Sequence, residues 1–174
     1  MSEHTSAEAR LIRAGHLQAD TTRVFSAPED APDSLPADEP GWQVPLALWT
    51  AQRAALSARR HPVAVLLPPD TELSQLADEN GNIDAAHIAF IAIDFPAYTD
   101  GRGYSIAQLL RRQYHWQGEL RAVGDVMIDT VFYQARVGFD SFLVKPGHDP
   151  QAALEALRTF SVRYQQTYPV PQAA

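Results

Sequence analysis

The residues best suited to chemistry lie between Asp94 and Lys145. Asp100-Gly101-Arg102-Gly103-Tyr104-Ser105 puts a guanidinium and two glycines directly ahead of a helical pattern. Free backbone N–H groups at a helix start attract anions, glycines let a ligand approach the backbone, and an arginine offers a bidentate fork. Arg102, Gly103, Tyr104 and Ser105 are therefore the candidate anion-binding residues. The same residues also read as a tight turn, with Ser105 and Gln108 as a capping box and Arg102 paired to Asp100. The stretch is not a Walker A loop, since it lacks Gly-Lys-Ser/Thr. Nor is it a dinucleotide fingerprint, since it lacks Gly-x-Gly-x-x-Gly.

Asp94, Asp125 and Lys145 each follow an apolar run, and in parallel α/β folds the carboxyl ends of strands are where ligands bind. They are the candidate catalytic groups, with Asp70 just past an earlier run. Asp94 and Asp125 are the carboxylates that a magnesium ion would use. Their structural alternatives are a helix cap for Asp125 and an arginine partner for Asp94. Lys145 suits a Schiff base, an anion contact or a solvated charge. The six histidines show no metal-ligand spacing, and no Gly-x-Ser-x-Gly elbow occurs. No metal site and no cofactor is expected. Arg111, Arg112 and Arg121 form a basic patch with Arg102 that an acidic protein partner could use, or else Arg111 and Arg112 belong to a solvated helix face.

The elements that must hold these groups alternate. Short apolar runs at 63–67, 88–93, 120–124 and 142–144 read as buried strands, each bounded by turn or cap residues. Helical spacing marks 44–60, with Pro45 in its first turn, and 70–77 behind Asp70. It continues from Ser105, over 128–135 ahead of Gly138, and after Asp149-Pro150 through Ala153, Leu157, Phe160 and Tyr164. Residues 11–18 and 22–25 suit two short strands or a loosely attached arm. Residues 27–41 carry four prolines and five acids and read as a linker. The expected organisation is an arm and acidic linker over 1–41, one α/β domain over 42–168 and a tail over 169–174. About four mostly parallel strands are too few for a closed eight-fold barrel. The fold expected is a small open three-layer sheet or a half-barrel-like arc, whose exposed flank favours a homodimer.

Composition narrows the function classes. A chain of 174 residues with 45% hydrophobic and 20% charged residues is that of an ordinary globular domain. It has no apolar run long enough to span a membrane and no signal-peptide pattern, so the cytoplasm is the expected location. The absence of cysteine removes disulfides, thiol catalysis and cysteine-ligated iron–sulfur clusters. A redox role would need a borrowed or non-covalently bound cofactor. The formal charge of −7 opposes nucleic-acid or anionic-membrane binding.

From Asp100 to Phe142 the sequence resembles the bacterial domain of unknown function 934. The resemblance rests on Asp100-Gly101-Arg102-Gly103-Tyr104-Ser105, Leu109-Leu110-Arg111, Gly118-Glu119-Leu120-Arg121-Ala122-Val123-Gly124-Asp125-Val126, Asp129 and Gly138-Phe139-Asp140. With Pro45-Leu46 it is expected to extend over about Leu11 to Phe160. It implies a setting in assimilatory sulfite reduction, because members tend to be encoded beside the reductase and often carry an oxidoreductase label. Val137 stands where relatives often have a cysteine, so that label implies no thiol mechanism here. Thr22-Arg23-Val24-Phe25 stands where the family leads one to expect a tryptophan-centred segment. The expected function is an accessory protein that binds a sulfite reductase component, or a small anion through the 100–105 loop. The alternative is an enzyme acting on a small anion, with magnesium as a possible aid, using the acids at the strand ends.

Overall fold

The computed structural model describes residues 9–159. Its sheet is built from β1 (Leu11–Arg13), β2 (His16–Gln18), β3 (Arg23–Val24), β4 (Trp42–Pro45), β5 (Val63–Leu67), β6 (Ile88–Phe95), β7 (Leu120–Gly124) and β8 (Ser141–Leu143). The helices are α1 (Leu46–Ala51), α2 (Arg53–Ser57), α3 (Arg102–Arg112), α4 (Ile128–Val137) and α5 (Pro150–Thr159). Strand order is β2-β1-β8-β7-β6-β5-β4-β3. From β3 to β8 every neighbouring pair is parallel, while β1 runs antiparallel to both β2 and β8.

The sheet is therefore mixed and has eight strands rather than about four. The additional strands hold two to four residues each, too short to show a periodicity. Three of them come from the segment ahead of residue 41. The fourth, β4, takes Trp42–Pro45, where a helix start was expected, and the helix that follows is broken at Gln52. The helix expected at 70–77 is reduced to a short 3-10 turn at Leu73–Gln75. Phe160, Tyr164, the 169–174 tail and residues 1–8 of the expected arm lie outside the described residues.

Each parallel crossover moves one strand further in the same direction. Right-handed crossovers then place all the connecting helices on one face of the sheet, so the fold is an arc and not a three-layer sandwich. Val65, Leu67, Ile91, Ile93, Leu120, Ala122 and Phe142 point into that helical layer, where they bury against Ile106, Leu110, Val131 and Leu154. The opposite face carries Ala64, Ala92, Arg121 and Ser141.

Connectivity forces the sheet to curl. Strands β2 and β3 lie at opposite edges, yet only residues 19–22 join them. Eight strands laid flat would separate these edges by about 34 Å, whereas the link from Gln18 to Arg23 reaches at most about 18 Å. The edges must approach each other, and the result is a half-barrel. The link crosses the open face as a strap, and Arg121 in the middle of the sheet meets it. Its Nη1 donates to Thr22 Oγ1 at 2.9 Å and lies 3.4 Å from Asp20 Oδ1.

The acidic segment is also held down. Arg59 donates to the carbonyls of Pro36 and Ala37, both at 2.6 Å, and the Asp38 carboxylate accepts the backbone N–H groups of Arg60 and His61. Pro36 is buried in consequence.

Candidate functional site

The carboxyl ends of β5, β6, β7 and β8 form one rim. Register places Asp94 beside Val123 and Phe95 beside Gly124, with Asp125 one residue beyond. Asp94 is half-buried and no hydrogen-bond donor of the described residues reaches its carboxylate. Burial, and then the negative charge of Asp100, push its pKa above the usual carboxylate value. It lies against Gly124, whose φ is +90°. A Cβ there would fall 2.5 Å from Asp94 Oδ1 and collide with the Phe95 carbonyl oxygen, so only glycine leaves the carboxylate its place.

Asp94 borders a cavity of about 360 Å³ whose walls include Pro45, Leu46, Leu66 and Pro68, with Asp70 as a second acid. Among the described residues no lysine, arginine or histidine lines it. A carboxylate in such a cleft, unpaired and with a raised pKa, is equipped to accept a hydrogen bond, neutralise a cation or exchange a proton.

The other candidates are placed differently. Arg102 is bound to Asp100 through Nη2–Oδ2 at 2.6 Å and Nε–Oδ1 at 3.0 Å. Those bonds hold the Asp100 carboxyl down to about 2 and raise the Arg102 pKa. The helix begins at Arg102 and not after Ser105, because Asp100 Oδ1 accepts the Arg102 N–H at 3.0 Å and closes the turn there. Ser105 is consequently an exposed residue inside the first turns of α3 and makes no cap. Gly103 is buried against the Phe95 ring, which a Cβ would meet at 2.7 Å, and this glycine serves helix–strand packing. The Tyr104 ring meets Phe95 edge-on at 5.4 Å, and burial raises its phenol pKa.

Asp125 and Lys145 are brought to each other. Lys145 Nζ donates to Asp125 Oδ1 at 2.6 Å and the Tyr98 N–H donates to Oδ2 at 2.6 Å. The lysine bond first, and the amide second, lower the Asp125 pKa. Asp125 thus ties the loop after β6 to the end of β8 and does not cap α4, whose first turn is closed by Thr130 and Met127. That carboxylate is not shared with Asp94. Among the described residues no cluster of three or more His, Asp or Glu is arranged to hold a metal ion.

At the amino ends of the strands the arginines form no surface patch. Arg111 is buried, and its guanidinium donates to the carbonyls of Trp116, Gly118 and Gly138 and to Asp140 Oδ2 at 2.6 Å. Arg121 is buried on the open face, stacked 3.8 Å over the Phe90 ring. Its Nη2 donates to Glu119 Oε1 at 2.8 Å, and Glu119 also pairs with Arg13 at 3.0 Å. The signal for this network was the Glu119-x-Arg121 spacing, which puts both side chains on one face of a strand. A cavity of about 510 Å³ lies at this end, but its charged groups Arg13, Glu119 and Asp140 are already partners of one another or of Arg111.

No helix among the described residues is long and apolar enough to cross a membrane. No curated protein matches the chain. A model of a family described as bacterial protein of unknown function, DUF934, matches residues 64–174, which take in β5 to β8, Asp94, the 100–105 segment and the Glu119–Asp125 network. With well over half its length inside that match, the chain belongs to the DUF934 family.

Proposed function

We propose that this DUF934 protein is a cytoplasmic accessory protein of assimilatory sulfite reduction that works by binding, and that its contact surface for a reductase component is the carboxyl rim around Asp94. The observation that carries this reading is the Asp94 carboxylate itself. It is half-buried beside a cavity and unpaired, while the neighbouring Asp100 and Asp125 both have cationic partners. An uncompensated charge costs stability, and a binding partner is what would repay it. The pathway comes from the family resemblance and not from geometry. With Asp70, Asp94 and Asp100 set against Arg102, the rim favours a basic patch on the partner over a free anion. The 100–105 loop has less support as an anion site, since Asp100 already occupies the Arg102 fork.

Affinity capture from a producing cell tests it. Wild type should retain sulfite reductase components, Asp94→Lys should lose them, and a deletion strain should grow poorly on sulfate until complemented by wild type. Normal growth on sulfate with no reductase enrichment would end the reading. Self-association is retained as an expectation of the arc, with Val24, 67% exposed on edge strand β3, as the residue it would cover. The second reading, an enzyme acting on a small substrate, is favoured by the raised Asp94 pKa, which suits a general acid or base. Magnesium assistance would have to do without Asp125, whose oxygens are taken.

A further inference from the structure

We propose that the cavity at the carboxyl rim takes a cationic head group on an aliphatic stem, presented as a lysine or arginine side chain by a partner polypeptide, with Asp94 as its counter-ion. This rests on the reading of the rim as a docking surface and names what enters it.

Four observations converge. The space is about 360 Å³, at the small end of ligand pockets and ample for one long side chain. Pro45, Leu46, Leu66 and Pro68 supply apolar wall against which methylene groups bury, as the stems of lysine and arginine do elsewhere. The charged groups in the lining, Asp94 and Asp70, are both acids. The rim cations Arg102 and Lys145 are held by Asp100 and Asp125, and neither is paired with Asp94. An anionic ligand would meet two carboxylates and no cationic donor. A neutral apolar ligand would bury Asp94 without a partner, which is the costliest arrangement for a carboxylate. A cation on a stem satisfies both parts of the lining, and Gly124 keeps Asp94 aimed at it.

The probes are N-acetyl-lysine methylamide, its norleucine counterpart, which keeps the four-carbon stem without the ammonium group, the matching glutamate derivative, and butylammonium. Binding is read by protein-observed NMR on the full chain, with capture of reductase components run in parallel. The lysine derivative should bind at least about tenfold tighter than norleucine, the difference expected when one charged hydrogen bond is added. The glutamate derivative should not bind, and Asp94→Asn, which keeps the side-chain shape, should remove the advantage of lysine. Equal binding of lysine and norleucine, or preference for glutamate, overturns the charge assignment while leaving the cavity as a site. Tighter binding of butylammonium than of the lysine derivative overturns the polypeptide source. If no probe binds yet reductase capture still depends on Asp94, the occupant is wrong and the docking rim stands. Capture that ignores Asp94→Asn removes the rim reading itself.

Discussion

The two ends of the parallel strands treat charge in opposite ways. At the amino end Arg13, Glu119, Arg121 and Asp20 are linked to one another, and Arg111 closes on Asp140 and three carbonyls. At the carboxyl end Asp100 and Asp125 each take one cation, and Asp94 is left with none. Desolvating an arginine is tolerated only when its donors are matched, and the amino end meets that condition bond by bond. The carboxyl end departs from it beside a cavity, where neither Asp94 nor Asp70 forms a salt bridge among the described residues. The difference separates the charges that hold the half-barrel together from those that stability does not account for.

Substitutions that break this contrast should fall in a definite order. Arg111→Ala is the most damaging, because it strips hydrogen bonds from buried carbonyls and leaves Asp140 unpaired. A loss of about 3–5 kcal/mol in urea unfolding is expected, and a loss under about 1 kcal/mol would mean that the amino end is not the structural end. Gly124→Ala comes next, with a cost of about 2 kcal/mol or more from its backbone conformation and the collision with Phe95. Lys145→Ala should cost less than either at pH 7, as its pair with Asp125 lies near the surface and is screened by solvent. The folded Asp125 has a pKa below the ordinary aspartate value of 3.8, so the pair stabilises above that pH and its contribution fades as pH falls through the folded value. The wild type and Lys145→Ala melting curves should therefore converge on acidification.

Asp94→Asn carries the smallest effect and the opposite sign. A carboxyl whose folded pKa is raised destabilises the fold once it ionises, so the penalty is absent below 3.8 and complete above the folded value. The variant should melt slightly higher than wild type at pH 7 and no higher at pH 3.5. A lower melting temperature at pH 7 would show that Asp94 has a stabilising partner and would collapse the contrast.

The parallel core was legible because it is local. The runs at 63–67 and 120–124 coincide with β5 and β7, Gly138 ends α4, and Asp149 caps α5 through the N–H of Gln151. Asp94 and Asp70 could be placed at strand ends for the same reason. What could not be read depends on distant partners. Arg111 looked solvated, since helical spacing cannot anticipate that Gly138, 27 positions away, would supply its acceptor. Gly103 suggested room for a ligand, whereas its neighbour is the Phe95 ring, and nothing local marked Gly124 as the residue set against Asp94. Residues 11–18 and 22–25 suited two short strands and form three, but the pairing of β1 with β8 joins segments too distant in sequence to be read from either.

That last point bears on the order in which the protein assembles. Strand β1 has β8 as its antiparallel partner, and Arg10 donates to the Val144 carbonyl across 134 positions of sequence. Strand β1 thus docks on a segment synthesised well over a hundred residues after it. Contacts of such separation form late and slow the folding of the whole. During that interval β8 presents an unpaired edge, with the open face of the arc not yet strapped, and this is the stage at which a chaperone or a second chain could intervene.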